Sequence, residues 1–204
     1  MAMKNVFEYL VNPFKKTAGF NALFAGLAAM ALTSVLAWFT GTRFDGVIDI
    51  HVGPSLSYLV YLIDLVIGYV SLVLFLYPMG ALLSSSKIRL IDVAGTIALS
   101  RAPLIFAPVI STFSQAKTMT AYFLSFLTQE TPDQSPTNMQ FFLFGLSLFL
   151  TITLTVYVIM LMYRAYALSA NLKGNKAVLS FIGSLVLAEA LSKVLLYFIV
   201  MKQF

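Results

Sequence analysis

Five apolar runs, Phe20–Gly41, Leu56–Leu83, Ile88–Phe113, Phe141–Leu168 and Ala177–Met201, occupy most of this 204-residue chain. Each is at least 22 residues long. A helix rises about 1.5 Å per residue, so about 20 residues cross a hydrocarbon core of roughly 30 Å. Inside lipid the backbone must satisfy its own hydrogen bonds, and runs of this length are expected to be helices. Composition agrees, with 60% hydrophobic and 10% charged residues against about 25% charged in a soluble domain. Mean hydropathy is +0.91. The expected fold is all-α, a bundle of five transmembrane helices over residues 20–204 after a cytoplasmic interfacial segment over residues 1–19.

The loops alternate in charge. Lys4, Lys15 and Lys16 precede the first span against Glu8, and Lys87 and Arg89 separate the second span from the third. Lys173 and Lys176, with Arg164 just inside the fourth span, precede the fifth. The intervening loops are balanced or acidic: Arg43 and His51 against Asp45 and Asp49, then Lys117 against Glu130 and Asp133. Lysine and arginine excess marks the cytoplasmic side, which puts the amino terminus inside and the carboxyl terminus outside. The net charge of +5 does not cluster as a nucleic-acid face requires, so no nucleic-acid partner is expected. The first run exceeds the 7–15 residues of a cleavable signal core and reads as a retained anchor.

Before the first span, Val6, Phe7, Tyr9, Leu10 and Phe14 are interleaved with polar residues. That mixture suits a short helix in the headgroup region, interrupted at Asn12-Pro13. Residues 43–52 alternate as extended chain with a turn at Asp45-Gly46. Ile48, Ile50 and Val52 are expected to face the bilayer or bundle, and Asp49 and His51 to face away. Tyr122, Phe123, Phe126 and Leu127 suggest a second short interfacial helix, followed by exposed loop at Thr131–Thr137. Small residues at Ala22, Gly26, Ala29 and Thr33, and at Ser180, Ser184, Ala188 and Ser192, follow helical spacing and favour close helix contact. Pro103 and Pro108 should kink or break the third span, since proline lacks a donor and clashes with the preceding turn.

Signals of enzyme chemistry are weak. The chain has one histidine, no cysteine, no glycine-rich phosphate loop and no His-Glu-x-x-His motif. Asp45, Asp49 and His51 offer a metal-ligand set, but three polar residues in a loop are more often solvated. Neither a metal, a cofactor nor a catalytic residue is expected. Ser84, Ser85 and Ser86 read as linker.

The charges inside the spans carry more information. Asp64, Arg101, Glu189 and Lys193 all lie well within apolar runs, where a charge costs about 2.5–3.5 kcal/mol on insertion scales. Counted from Leu56, Phe113 and Met201, Asp64 and Lys193 lie eight positions deep and Arg101 and Glu189 twelve. Two levels of opposite charge predict Asp64–Lys193 and Arg101–Glu189 pairs, with Glu189 and Lys193 also neighbours at i, i+4. The network reads either as paired glue fixing helix registry or as an ion, proton or headgroup site.

Residues 87–104, Lys-Ile-Arg-Leu-Ile-Asp-Val-Ala-Gly-Thr-Ile-Ala-Leu-Ser-Arg-Ala-Pro-Leu, combine a polar entry, a small-residue stretch and a mid-span proline. With five closely grouped spans, they make the chain resemble the Yip (Ypt-interacting protein) domain family over roughly residues 20–201. The resemblance implies a bacterial inner-membrane member with a short cytoplasmic amino terminus. Eukaryotic members act in trafficking and contact small GTPases through a long amino terminus. This chain has about 19 residues there, no Asp-Leu-Tyr-Gly-Pro motif and no carboxyl-terminal prenylation cysteine, so GTPase binding is not expected. The expected function is a non-enzymatic membrane protein that organises membrane partners or lipids. A small transporter or lipid scramblase using the charged interior is the alternative. Expected partners are membrane lipids and a second copy or another membrane protein.

Overall fold

The computed structural model describes residues 11–128 and 135–201. Five helices are long and apolar enough to cross a membrane. Span one is α1, Gly19–Thr40, and span two is α2, Tyr58–Leu83. Span three is divided into α3, Leu90–Ser100, a 3-10 turn at Ala102–Ile105, and α4, Phe106–Ser111. A shorter helix, α5, Ala116–Thr128, precedes span four, α6, Asn138–Ser169, and span five, α7, Gly174–Met201. The almost purely helical bundle matches the expected class, and every span boundary lies within three residues of its apolar run.

Span three breaks where the sequence puts proline. The helix stops at Ser100, and Pro103 lies in the 3-10 turn. Proline cannot donate to the carbonyl four residues back and its ring crowds that carbonyl. The tighter turn absorbs both effects, and α4 then resumes with Pro108 buried inside it. Pro78, by contrast, sits within a continuous α2.

Span one packs most extensively against span three, and span two against span five. Ala22, Gly26 and Thr33 of the first small-residue stripe are buried, as are Ser180, Ser184, Ala188 and Ser192 of the second. A few polar side chains also join the helices. Tyr69 donates to the Ala94 carbonyl at 3.1 Å, Ser184 to the Phe75 carbonyl at 3.4 Å, and Tyr166 to Ser180 at 3.0 Å. In apolar surroundings such bonds fix registry where burial of greasy surface has no preferred partner.

Local signals set the ends. Thr137-x-x-Gln140 forms a reciprocal capping box that starts α6. Gly41 ends α1 with φ of 70°, a left-handed conformation natural to glycine. Its carbonyl accepts from Gly53 at 2.9 Å, closing the loop between spans one and two. Of the expected headgroup segment, residues 4–10 lie outside the described residues. Within the rest, Pro13–Lys15 makes one 3-10 turn that buries Phe14, and Arg164 donates to the Val11 carbonyl at 2.9 Å. Helix α5 matches the expected second short helix and exposes Phe123, Phe126 and Leu127. Residues 131–134 of the loop after it lie outside the described residues.

Candidate functional site: a loop held inside the bundle by buried charges

The loop between spans one and two is largely sunk into the bundle, with Thr42, Arg43, Phe44, Gly46 and Val47 buried. Only its ends pair as strands, β1, Thr42–Arg43, with β2, His51–Val52, in antiparallel register. Between them Phe44 and Val47 are buried at 1% and 3% exposure, and Ile48 and Ile50 pack against the same core. The chain therefore re-enters the bundle. Irregular backbone at membrane depth is tolerated only where protein surrounds it and its polar groups find partners.

The charged side chains inside the spans supply those partners. Glu189 accepts from the Val47 and Ile48 N–H groups at 2.6 and 3.1 Å. Arg101 donates from Nη1 to the Val47 carbonyl at 3.3 Å. Asp64 accepts from Arg43 Nε at 2.5 Å and Nη2 at 3.1 Å, and from the Phe44 N–H at 3.4 Å. Lys193 donates to Asp49 at 2.6 Å and lies 3.6 Å from Glu189. Tyr61, fully buried, secures the far side by donating to the Pro54 carbonyl and accepting from the Leu56 N–H, each at 3.3 Å.

This pattern corrects the pairing expected from depth. Asp64 is paired with Arg43 of the loop, not with Lys193, and Lys193 is paired with Asp49. Arg101 and Glu189 are bridged by the loop backbone instead of forming a direct ion pair. The physical reason is competition: an inserted peptide offers N–H and C=O groups that must be satisfied, and they take the charges first. The i, i+4 neighbours Glu189 and Lys193 do lie together as expected.

Glycine makes the insertion possible. A Cβ on Gly46 would press into the Glu189 carboxylate, and one on Gly68 would lie 3.0 Å from the Gly46 carbonyl oxygen and 3.2 Å from Arg101 Nη2. Nothing in the local sequence marks the loop backbone or Gly68 as a partner of the buried charges. The available signal was the apolar content of this loop, with Phe44, Val47, Ile48, Ile50 and Val52 among only eleven residues from 42 to 52.

At the mouth of this loop Asp45, Asp49 and His51 come together with ligand atoms all within 4.8 Å of one another. The carboxylates already have neighbours: His51 Nδ1 lies 3.4 Å from Asp45, and Lys193 holds Asp49. The neighbouring Asp45 carboxylate raises the His51 pKa despite partial burial, and His51 in turn lowers that of Asp45. His51 thus stabilises the folded loop fully below its unfolded pKa of about 6.5 and loses the contribution as pH rises through its higher folded value. Asp45 contributes above its unfolded value and loses it as pH falls through its depressed one. Both groups are over a third exposed, so the effect on stability is small. The only histidine therefore gives a clean NMR titration, with an expected midpoint above about 6.5 that falls in Asp45→Asn. An unchanged midpoint in that variant would contradict the contact.

Comparison with models of known protein families, with curated proteins and with solved structures finds no match for this chain.

Proposed function

We propose that this chain is a non-enzymatic, Yip-like integral membrane protein that organises membrane partners or lipids. The observation that carries the reading is the use made of the interior charges. Asp64, Glu189 and Arg101 hold a loop in place, a scaffolding task that maintains one outer surface. The proposed setting is a bacterial inner membrane, with the amino terminus cytoplasmic and the carboxyl terminus outside. Lys87, Arg89, Lys173 and Lys176 then form a basic inner face, suited to anionic headgroups. A second copy or another membrane protein is the proposed partner class.

The alternative, a small transporter or lipid scramblase, draws on one observation: the helix break in span three falls beside the buried Arg101. Broken helices form substrate sites in transporters. Proteoliposomes separate the two. Under the organising reading, purified protein shows neither ion or amine flux nor lipid flipping above empty vesicles. Robust flux abolished by Arg101→Gln would favour the alternative.

A further inference from the structure

Arg101 has a hydrogen-bonding edge that no group of the described residues meets. A guanidinium presents five N–H donors in a planar fork. Arg43 grips Asp64 through Nε and Nη2, and Arg89 grips Asp92 through the same two atoms. Arg101 uses Nη1 on the Val47 carbonyl, while its own Nε and Nη2 have no partner. The side chain is 1% exposed, so water outside the bundle does not solvate that edge. A buried cation left half-satisfied is costly, and proteins retain one where an additional group completes it.

We propose that the Nε–Nη2 edge of Arg101 binds a singly charged phosphate-type oxyanion, such as a lipid phosphodiester or free phosphate. Two oxygens of such a group match the fork as the Asp64 carboxylate matches Arg43. Gly68 borders the same edge, where any side chain would crowd Nη2. Glu189 approaches from the loop side through the Val47 and Ile48 N–H groups, and its negative charge disfavours a dianion. A phosphodiester carries one charge and surrounds a membrane-spanning chain in abundance. The 3-10 turn at Ala102–Ile105 directly follows Arg101 and gives this part of span three room to adjust. Arg101 is 1% exposed and its Nη1 is bonded to the Val47 carbonyl, so ligand entry displaces the Gly46–Val47 segment. The site serves a lipid that is retained as well as one that is moved, so it stands independently of which functional reading holds.

The test uses the full chain purified in delipidating detergent, with binding followed by native mass spectrometry and thermal unfolding. Phosphatidylglycerol, phosphatidylcholine, diacylglycerol and inorganic phosphate are the probes. The phosphate-bearing lipids or free phosphate should bind and stabilise, and diacylglycerol should not. Binding by lipid alone assigns the site to headgroups, and binding by free phosphate alone assigns it to a soluble anion. Arg101→Lys, which keeps the charge but loses the fork, should weaken binding about tenfold, the loss of roughly one charge-assisted hydrogen bond. Glu189→Gln keeps an acceptor for the loop N–H groups and removes the opposing charge, so it should tighten binding. That second variant decides the matter if Arg101→Lys fails to fold. Equal binding of diacylglycerol and phospholipid with no response to free phosphate, wild-type affinity in folded Arg101→Lys, or unchanged or weaker affinity in Glu189→Gln would each overturn the assignment.

Discussion

Asp64→Ala is expected to cost about 3–5 kcal/mol of stability, the usual penalty for stranding one member of a buried ion pair. Asp64 is fully buried and the Arg43 side chain is only 8% exposed, so neither charge can turn to water when the other is removed. Arg43→Ala should cost a similar amount, because among the described residues Asp64 then keeps the Phe44 N–H at 3.4 Å and no other donor. The Arg43→Ala/Asp64→Ala double variant should lose clearly less than the sum of the two, since it leaves no unpaired charge. Equilibrium unfolding in mixed micelles gives the cycle. Additive losses would mean that the two residues act separately.

The second large effect lies where spans one and three touch. A Cβ on Gly26 would collide with the Ala98 carbonyl carbon and lie 2.5 Å from the Leu99 nitrogen. One on Gly95 would collide with the Gly19 carbonyl oxygen and lie 3.1 Å from the Leu23 nitrogen. These neighbours are backbone, which cannot rotate away as a side chain can, so the helices must separate. Gly26→Ala and Gly95→Ala should each cost about 1–3 kcal/mol or more through overpacking, even though alanine favours helix by roughly 1 kcal/mol. Gly145 and Gly183 are the controls, because no atom of the described residues lies within 4 Å of a Cβ at either. Their alanine variants should be neutral or slightly stabilised in the same unfolding assay. Equal behaviour of all four would rule out the close approach.

The contrast between these two regions shows what the chain discloses about itself. Span limits, the stripe at Ala22, Gly26 and Thr33, and the break at Pro103 are written in local composition, because length, side-chain size and a missing donor act within a few residues. Charge pairing is not local. Counting positions along each helix places Asp64 level with Lys193, yet says nothing about a third segment entering between them. Arg43 lies two residues beyond Gly41 and folds back to Asp64, while Asp49 reaches Lys193 across the mouth. The apolar side chains of Phe44 and Val47 are the sequence trace of that insertion, since a solvated loop has no need of them. Pro78 is the opposite case, a proline whose helix continues through it.

Thiol accessibility reports on the insertion of residues 42–52, because the chain has no native cysteine. Single cysteines are placed at Phe44 and Val47, which are buried, and at His51, which is exposed at the mouth of the loop. A water-soluble maleimide is then added to the folded protein purified in detergent. His51→Cys should label readily, while Phe44→Cys and Val47→Cys should label only after denaturation. Labelling of all three at equal rates in the folded protein would place the loop in water and contradict the account.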